Sequence, residues 1–90
     1  MAALDETEVR ERLKALPGWE RHGAAIRRSY KFPDFKAAVA FANRVAELAD
    51  AQDHHPDMLV QYGQVTLTLT SHDTGGLTPR DFRLAHAIDA

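Results

Sequence analysis

The sequence predicts an α+β fold: a four-stranded antiparallel sheet with three helices packed on one face, in the order α-β-β-α-β-β-α. Three observations carry this. Two pairs of short segments read as strands, each pair joined at a glycine, and the clearest of them alternate apolar and polar residues at a period of two. Three further segments repeat apolar residues at three- and four-residue steps behind a capping residue or a Pro-Asp start. The two kinds interleave as hairpins between helices, an order that favours an antiparallel sheet with one covered face.

The elements follow in chain order. Asp5 suits an N-cap, Glu8 sits at N3, and Leu4 with Val9 has the spacing of a hydrophobic staple. Val9, Leu13 and Leu16 make an apolar stripe that Pro17-Gly18 ends. Trp19 to His22 reads as a short strand, with Gly23 allowing a turn. From Ile26 the pattern alternates, with Ile26, Arg28, Tyr30 and Phe32 on one side and Arg27, Ser29 and Lys31 on the other. Pro33-Asp34 opens the longest helix, Asp34 serving as N-cap or lying in the first turn. Its stripe runs through Phe35, Ala38, Val39, Ala42, Val45, Ala46 and Ala49, and Phe41 and Leu48 widen it. The helix is expected to end near Asp50 to Asp53, ahead of His54-His55-Pro56, because a residue before proline is pushed towards extended geometry. Met58 to Tyr62 and Val65 to Ser71 are the next strands, with Gly63-Gln64 between them. Val65, Leu67 and Leu69 face one way, and Thr66, Thr68 and Thr70 the other. Thr78 as N-cap, Pro79 at N1 and Asp81 completing a capping box then start the last helix. Phe82, Ala85 and Ile88 form its apolar face, with Leu84 at the margin.

Composition bounds the function. Ninety residues make one small domain, spanning 1–90, with a thin core. Eleven basic residues against thirteen acidic give a net charge of −2, so the balance points to neither nucleic acid nor an anionic membrane as partner. The absence of cysteine excludes disulfide scaffolds, cysteine-ligated zinc fingers, thiolate chemistry and iron–sulfur clusters. No apolar run approaches the roughly 20 residues that span a bilayer. The first fourteen residues lack the apolar stretch of a signal peptide and carry acids. A soluble, cytoplasmic protein is the expectation.

The chemistry concentrates in His54, His55 and His72, with Asp50, Asp53, Asp57, Asp73 and Asp81 around them. Imidazole titrates nearest neutrality, so such a cluster suits proton transfer or metal binding. Asp50 and His54 are one helical turn apart if the helix runs that far. An antiparallel hairpin returns the end of its second strand beside the start of its first, which places His72 beside His54 and His55. If that strand persists, His72 shares parity with Thr66, Thr68 and Thr70 and points away from the core, so the site lies at a sheet end or on the open face. Taken singly, each residue also has a plain structural role. His54 suits a helix C-terminus, where the macrodipole favours a cation, and Asp81 suits a capping box. Tyr62 is an ordinary strand residue and Trp19 a core residue. His22, His86 and the Arg27-Arg28 edge read as solvated.

The joint arrangement is more specific. Asp50-x-x-x-His54-His55-Pro56, followed by Tyr62, His72 and Asp81, resembles the signature of the pterin-4a-carbinolamine dehydratases. Phe32-x-x-Phe35, the alanine-rich helix and Gly76-Leu77-Thr78-x-x-Asp81 are similar to that family too, so the resemblance extends from about Leu13 to Ile88. It implies removal of water from 4a-hydroxytetrahydropterin to give the quinonoid dihydropterin, recycling the cofactor of aromatic amino-acid hydroxylases. It implies the same sheet-and-helices fold, a homodimer or homotetramer, and no cofactor of the protein's own. By position, His54, His55 and His72 match the family's active-site histidines. His54 and His72 are then the main acid–base pair, and His55 binds the pterin and serves as an alternative acid. Asp50 would orient or charge His54. Asp81 would cap its helix and hold a histidine. Trp19 would pack by the pterin ring, and Tyr62 would join it in binding substrate. Asp50 stands where glutamate is common in the family, and Met58 where an aromatic residue is frequent.

Two other readings compete. Three histidines and an acid are a possible zinc or iron site, but the side chains of adjacent His54 and His55 diverge in regular structure, so no metal is expected. The other is a non-catalytic dimerisation module of the coactivator type, as in one animal branch of the family; intact histidines argue against it.

Overall fold

The alternation along the two central strands decides which face of the sheet is covered. In the computed structural model, which describes residues 2–90, the elements are α1 (Glu6–Leu13), β1 (Glu20–His22), β2 (Ala25–Lys31), α2 (Phe35–Gln52), β3 (Asp57–Gln61), β4 (Gln64–Leu69) and α3 (Pro79–Asp89). This is the predicted order. The strands form one antiparallel sheet in the order β1-β2-β4-β3. Ile26 pairs with Leu69, Arg28 with Leu67 and Tyr30 with Val65. Ile26, Val65, Leu67 and Leu69 are fully buried on the helix side. The opposite side carries Ser29 and Thr66, whose hydroxyls meet at 2.9 Å, so it is polar. A core on one side only follows from that parity.

α2 lies on the apolar side through Ala38, Phe41, Ala42, Val45 and Ala49. Asp34 is its N-cap, accepting from the Ala37 N–H at 2.8 Å. Asp34→Ala is expected to cost about 1 kcal/mol of stability, read as a lower urea midpoint at unchanged slope. An unchanged midpoint would mean that solvent satisfies the exposed amide equally well.

Three boundaries differ from the sequence reading, each for a local reason, and one residue differs in burial. α1 ends at Leu13, and the N–H groups of Lys14, Ala15 and Leu16 bond to carbonyls three residues back. The chain tightens there ahead of Pro17, and Leu16 stays buried although the helix has stopped. The β3–β4 turn is Tyr62-Gly63, because Gln64 already pairs with Gln61 and Gly63 supplies the positive φ of +73°. β4 stops at Leu69, and Ser71 pairs with Gly76 across a separate turn. Leu84 is fully buried, not marginal.

Candidate functional site at the His54–Asp81 junction

The site begins where α2 ends. Asp53 adopts the left-handed conformation (φ 50°, ψ 43°), which aspartate tolerates better than most residues. The chain therefore leaves the helix one residue before His54, whose N–H closes onto the Ala49 carbonyl at 3.1 Å. After this turn His54 points inward and is 8% exposed, while His55 lies in the open.

His54 meets the start of α3. Its Nε2 lies 2.5 Å from Asp81 Oδ1. The other oxygen of Asp81 accepts from the Thr78 backbone N–H at 3.0 Å and from the Ser71 hydroxyl at 2.9 Å. Ser71 Oγ and Thr78 Oγ1 are 2.8 Å apart. Asp81 is fully buried, so one carboxylate completes the capping box of α3 and also holds the imidazole. Asp81 thus contacts both the N-terminus of α3 and the His54 ring. An ionised carboxylate only accepts, so the network assigns the Nε2 proton to the bond with Asp81 and leaves Nδ1 as the free nitrogen of His54.

Asp50 does not serve His54. Its Oδ1 lies 2.9 Å from Nε2 of His55, and both side chains are largely exposed. The expected one-turn relation between Asp50 and His54 fails because the left-handed turn at Asp53 ends the helix between them. His72 is exposed on the turn that Ser71 and Gly76 close. The β3–β4 register sets Asp57 opposite Thr68. Continued outward, it brings His54 and His55 to the level of Ser71 and Thr70, so the three histidines share one end of the sheet. That end does not continue the strand as the parity argument had it, since β4 stops before His72.

Trp19 and Tyr62 are not brought there within this chain. Trp19 is buried, and its Nε1 donates to Asp89 Oδ2 at 2.8 Å. Asp89 also takes Arg28 at 3.0 Å and the Tyr30 hydroxyl. Asp89 lies eight residues beyond Asp81 on α3, about 12 Å along the helix. Burial, followed by the bond to Asp89, pushes the Tyr30 hydroxyl well above its ordinary pKa. Tyr62 is exposed on the turn at the far end of β3, about 17 Å along the strand from Asp57. A groove of about 510 Å³, lined by Arg28, Tyr30, Phe41, Arg44 and Asp89 among others, also lies at the Asp89 end and holds none of the three histidines. Ser71 is the site residue that sequence reasoning missed. Its signal was its parity: it continues the inward set of Val65, Leu67 and Leu69, and a polar residue there requires a buried partner. Among the described residues no group of three His, Asp or Glu side chains is arranged to hold a metal ion, and none of the helices is long and apolar enough to cross a membrane.

Residues 2–90 match the family model for pterin 4 alpha carbinolamine dehydratase. The chain belongs to that family. Relatives at 49% identity support the assignment. One, from Thermomicrobium roseum, aligns over 98% of this chain and 95% of its own; another, from Acidobacterium capsulatum, aligns over 100% and 98%. Both bear the name "Putative pterin-4-alpha-carbinolamine dehydratase". The crystal structure of a transcriptional coactivator/pterin dehydratase from Brucella melitensis superposes with a TM-score of 0.91 at 38% identity, covering 97% of this chain and 95% of that one. A pterin dehydratase-like RuBisCO assembly factor of the alpha-carboxysome shares the fold at a TM-score of 0.64 and 17% identity, covering 79% and 82%.

Proposed function

We propose that this protein is a 4a-hydroxytetrahydropterin dehydratase acting in the cytoplasm, a hydro-lyase that needs no cofactor of its own. The single observation that carries the reading furthest is the buried Asp81 carboxylate on His54 Nε2, which leaves one defined imidazole nitrogen for proton transfer. In the reaction the 4a-hydroxyl takes a proton and departs as water, and the N5 proton is lost, giving the quinonoid dihydropterin. One proton donor and one proton acceptor, each positioned at its atom, suit that pair of transfers. His54 and His72 fill these roles. His55, solvent-facing and held by Asp50, contacts the pterin and serves as an alternative acid. The product is the form that is reduced again for an aromatic amino-acid hydroxylase.

A homo-oligomer accompanies this reading. β3 is an edge strand, and Met58, Leu59 and Tyr62 on its hairpin are exposed; an unpaired apolar edge favours pairing with a second copy. The same edge supports the alternative of a non-catalytic binding module, and the Brucella melitensis protein carries the word coactivator in its name.

Stopped-flow loss of freshly generated 4a-hydroxytetrahydropterin, followed by ultraviolet absorbance, separates the two readings. The dehydratase accelerates the decay at substoichiometric protein. A folded protein that leaves the spontaneous rate unchanged moves the assignment to the binding module.

A further inference from the structure

The two residues that flank His72 in sequence are both tied to the first turn of α3. On one side Ser71 donates to Asp81. On the other, Arg80 donates through one guanidinium nitrogen to Asp73 Oδ1 at 2.7 Å and Thr74 Oγ1 at 3.3 Å. Its Nε reaches Thr78 Oγ1 at 3.3 Å. Within the turn, the N–H groups of Thr74 and Gly75 bond back to Ser71, each at 3.0 Å. His72 thus sits between two tethered residues, and the neighbours Arg80 and Asp81 hold the tethers. Asp81 also holds His54.

The placement of Arg80 is unusual on electrostatic grounds. A cation in the first turn of a helix opposes the macrodipole. The bond from Arg80 holds the Asp73 carboxyl below the usual carboxylate range, yet an exposed pair of this kind contributes little to stability. What the pair does is geometric. Resting on the dehydratase reading, we infer that Arg80 is a positioning residue: with Asp81 it forms a two-pronged clamp that fixes the His72 turn at a set distance from His54. Arg80 acts through the turn and needs no contact with the pterin. A misplaced proton-transfer group costs rate far more readily than it costs stability.

Arg80→Gln and Asp73→Ala remove the clamp from its two ends, and the second leaves the Thr78 contact of Arg80 intact. Each is expected to lower kcat about tenfold with little change in KM or in the urea midpoint. Arg80→Lys, which keeps a charged donor for Asp73, recovers part of the loss. NMR order parameters of the His72 amide fall in both clamp variants while those of Ile26 and Leu67 hold. In a His72→Ala background, single-turnover rates show no further loss from Arg80→Gln. A kcat that survives both clamp changes overturns the inference, as does a rigid His72 amide in both variants or an Arg80 effect of equal size without His72. A wild-type protein with no turnover overturns the dehydratase reading instead, and the inference falls with it.

Discussion

Asp81→Ala is expected to lower the free energy of unfolding by about 2–4 kcal/mol and to abolish most turnover. The Thr78 N–H, the Ser71 hydroxyl and the His54 Nε2–H all lose their acceptor in a place where little water reaches. Loss of the capping box adds to this, because the first turn of α3 then starts with an unpaired amide. Asp81→Asn separates the two effects. The Thr78 N–H requires an oxygen, so the amide must turn its NH2 towards His54. Nε2 then has to accept, and the ring proton moves to Nδ1, the nitrogen that the native network leaves free. The fold is largely kept, and the rate falls by about 10²–10⁴, as it does where a catalytic imidazole is forced into the wrong tautomer. Urea titration reads the first change, stopped-flow the second, and nitrogen chemical shifts of His54 the tautomer. An Asp81→Asn protein with native turnover would show that the tautomer of His54 does not matter to the reaction.

Much of this architecture can be read from the chain, for identifiable reasons. Strand parity is a local property, so the inward set Val65, Leu67 and Leu69 and the outward threonines were legible without tertiary information. So was the capping box, which spans only Thr78 to Asp81. The expectation that the histidines gather at one end of the sheet needed only one hairpin. The partner of each histidine could not be read that way. Assigning Asp50 to His54 assumes that the helix continues, and whether it does is decided at Asp53, a non-glycine residue whose left-handed backbone leaves no mark in the sequence. The pairing of His54 with Asp81 closes across 27 residues and three elements, beyond what spacing can encode. Trp19 and Tyr62 fail differently. Their aromatic character was plain, but the bond of Trp19 to Asp89 spans 70 residues, and Tyr62 goes to the far end because its hairpin turns there.

His54→Ala is expected to reduce turnover by about 10²–10⁴ while leaving a folded protein. His54 and His55 are adjacent in sequence and each is bonded to a carboxylate, so burial makes the difference between them. His54 is 8% exposed and its partner fully buried, so the ring has one orientation and Nδ1 one direction. His55 and Asp50 are solvated, and an exposed pair of this kind holds its geometry weakly. A fixed orientation is what proton transfer requires, whereas contact with a planar substrate tolerates movement. His55→Ala should accordingly raise KM more than it lowers kcat, and His54→Ala should do the reverse. Free imidazole, small enough to fill the vacated position beside Asp81, should restore part of the rate to His54→Ala and none to the His55 variant. The opposite pattern, with turnover lost in His55→Ala and kept in His54→Ala, would transfer the proton-transfer role to the His55–Asp50 pair. Asp81 would then be a helix cap whose contact with His54 serves only the fold.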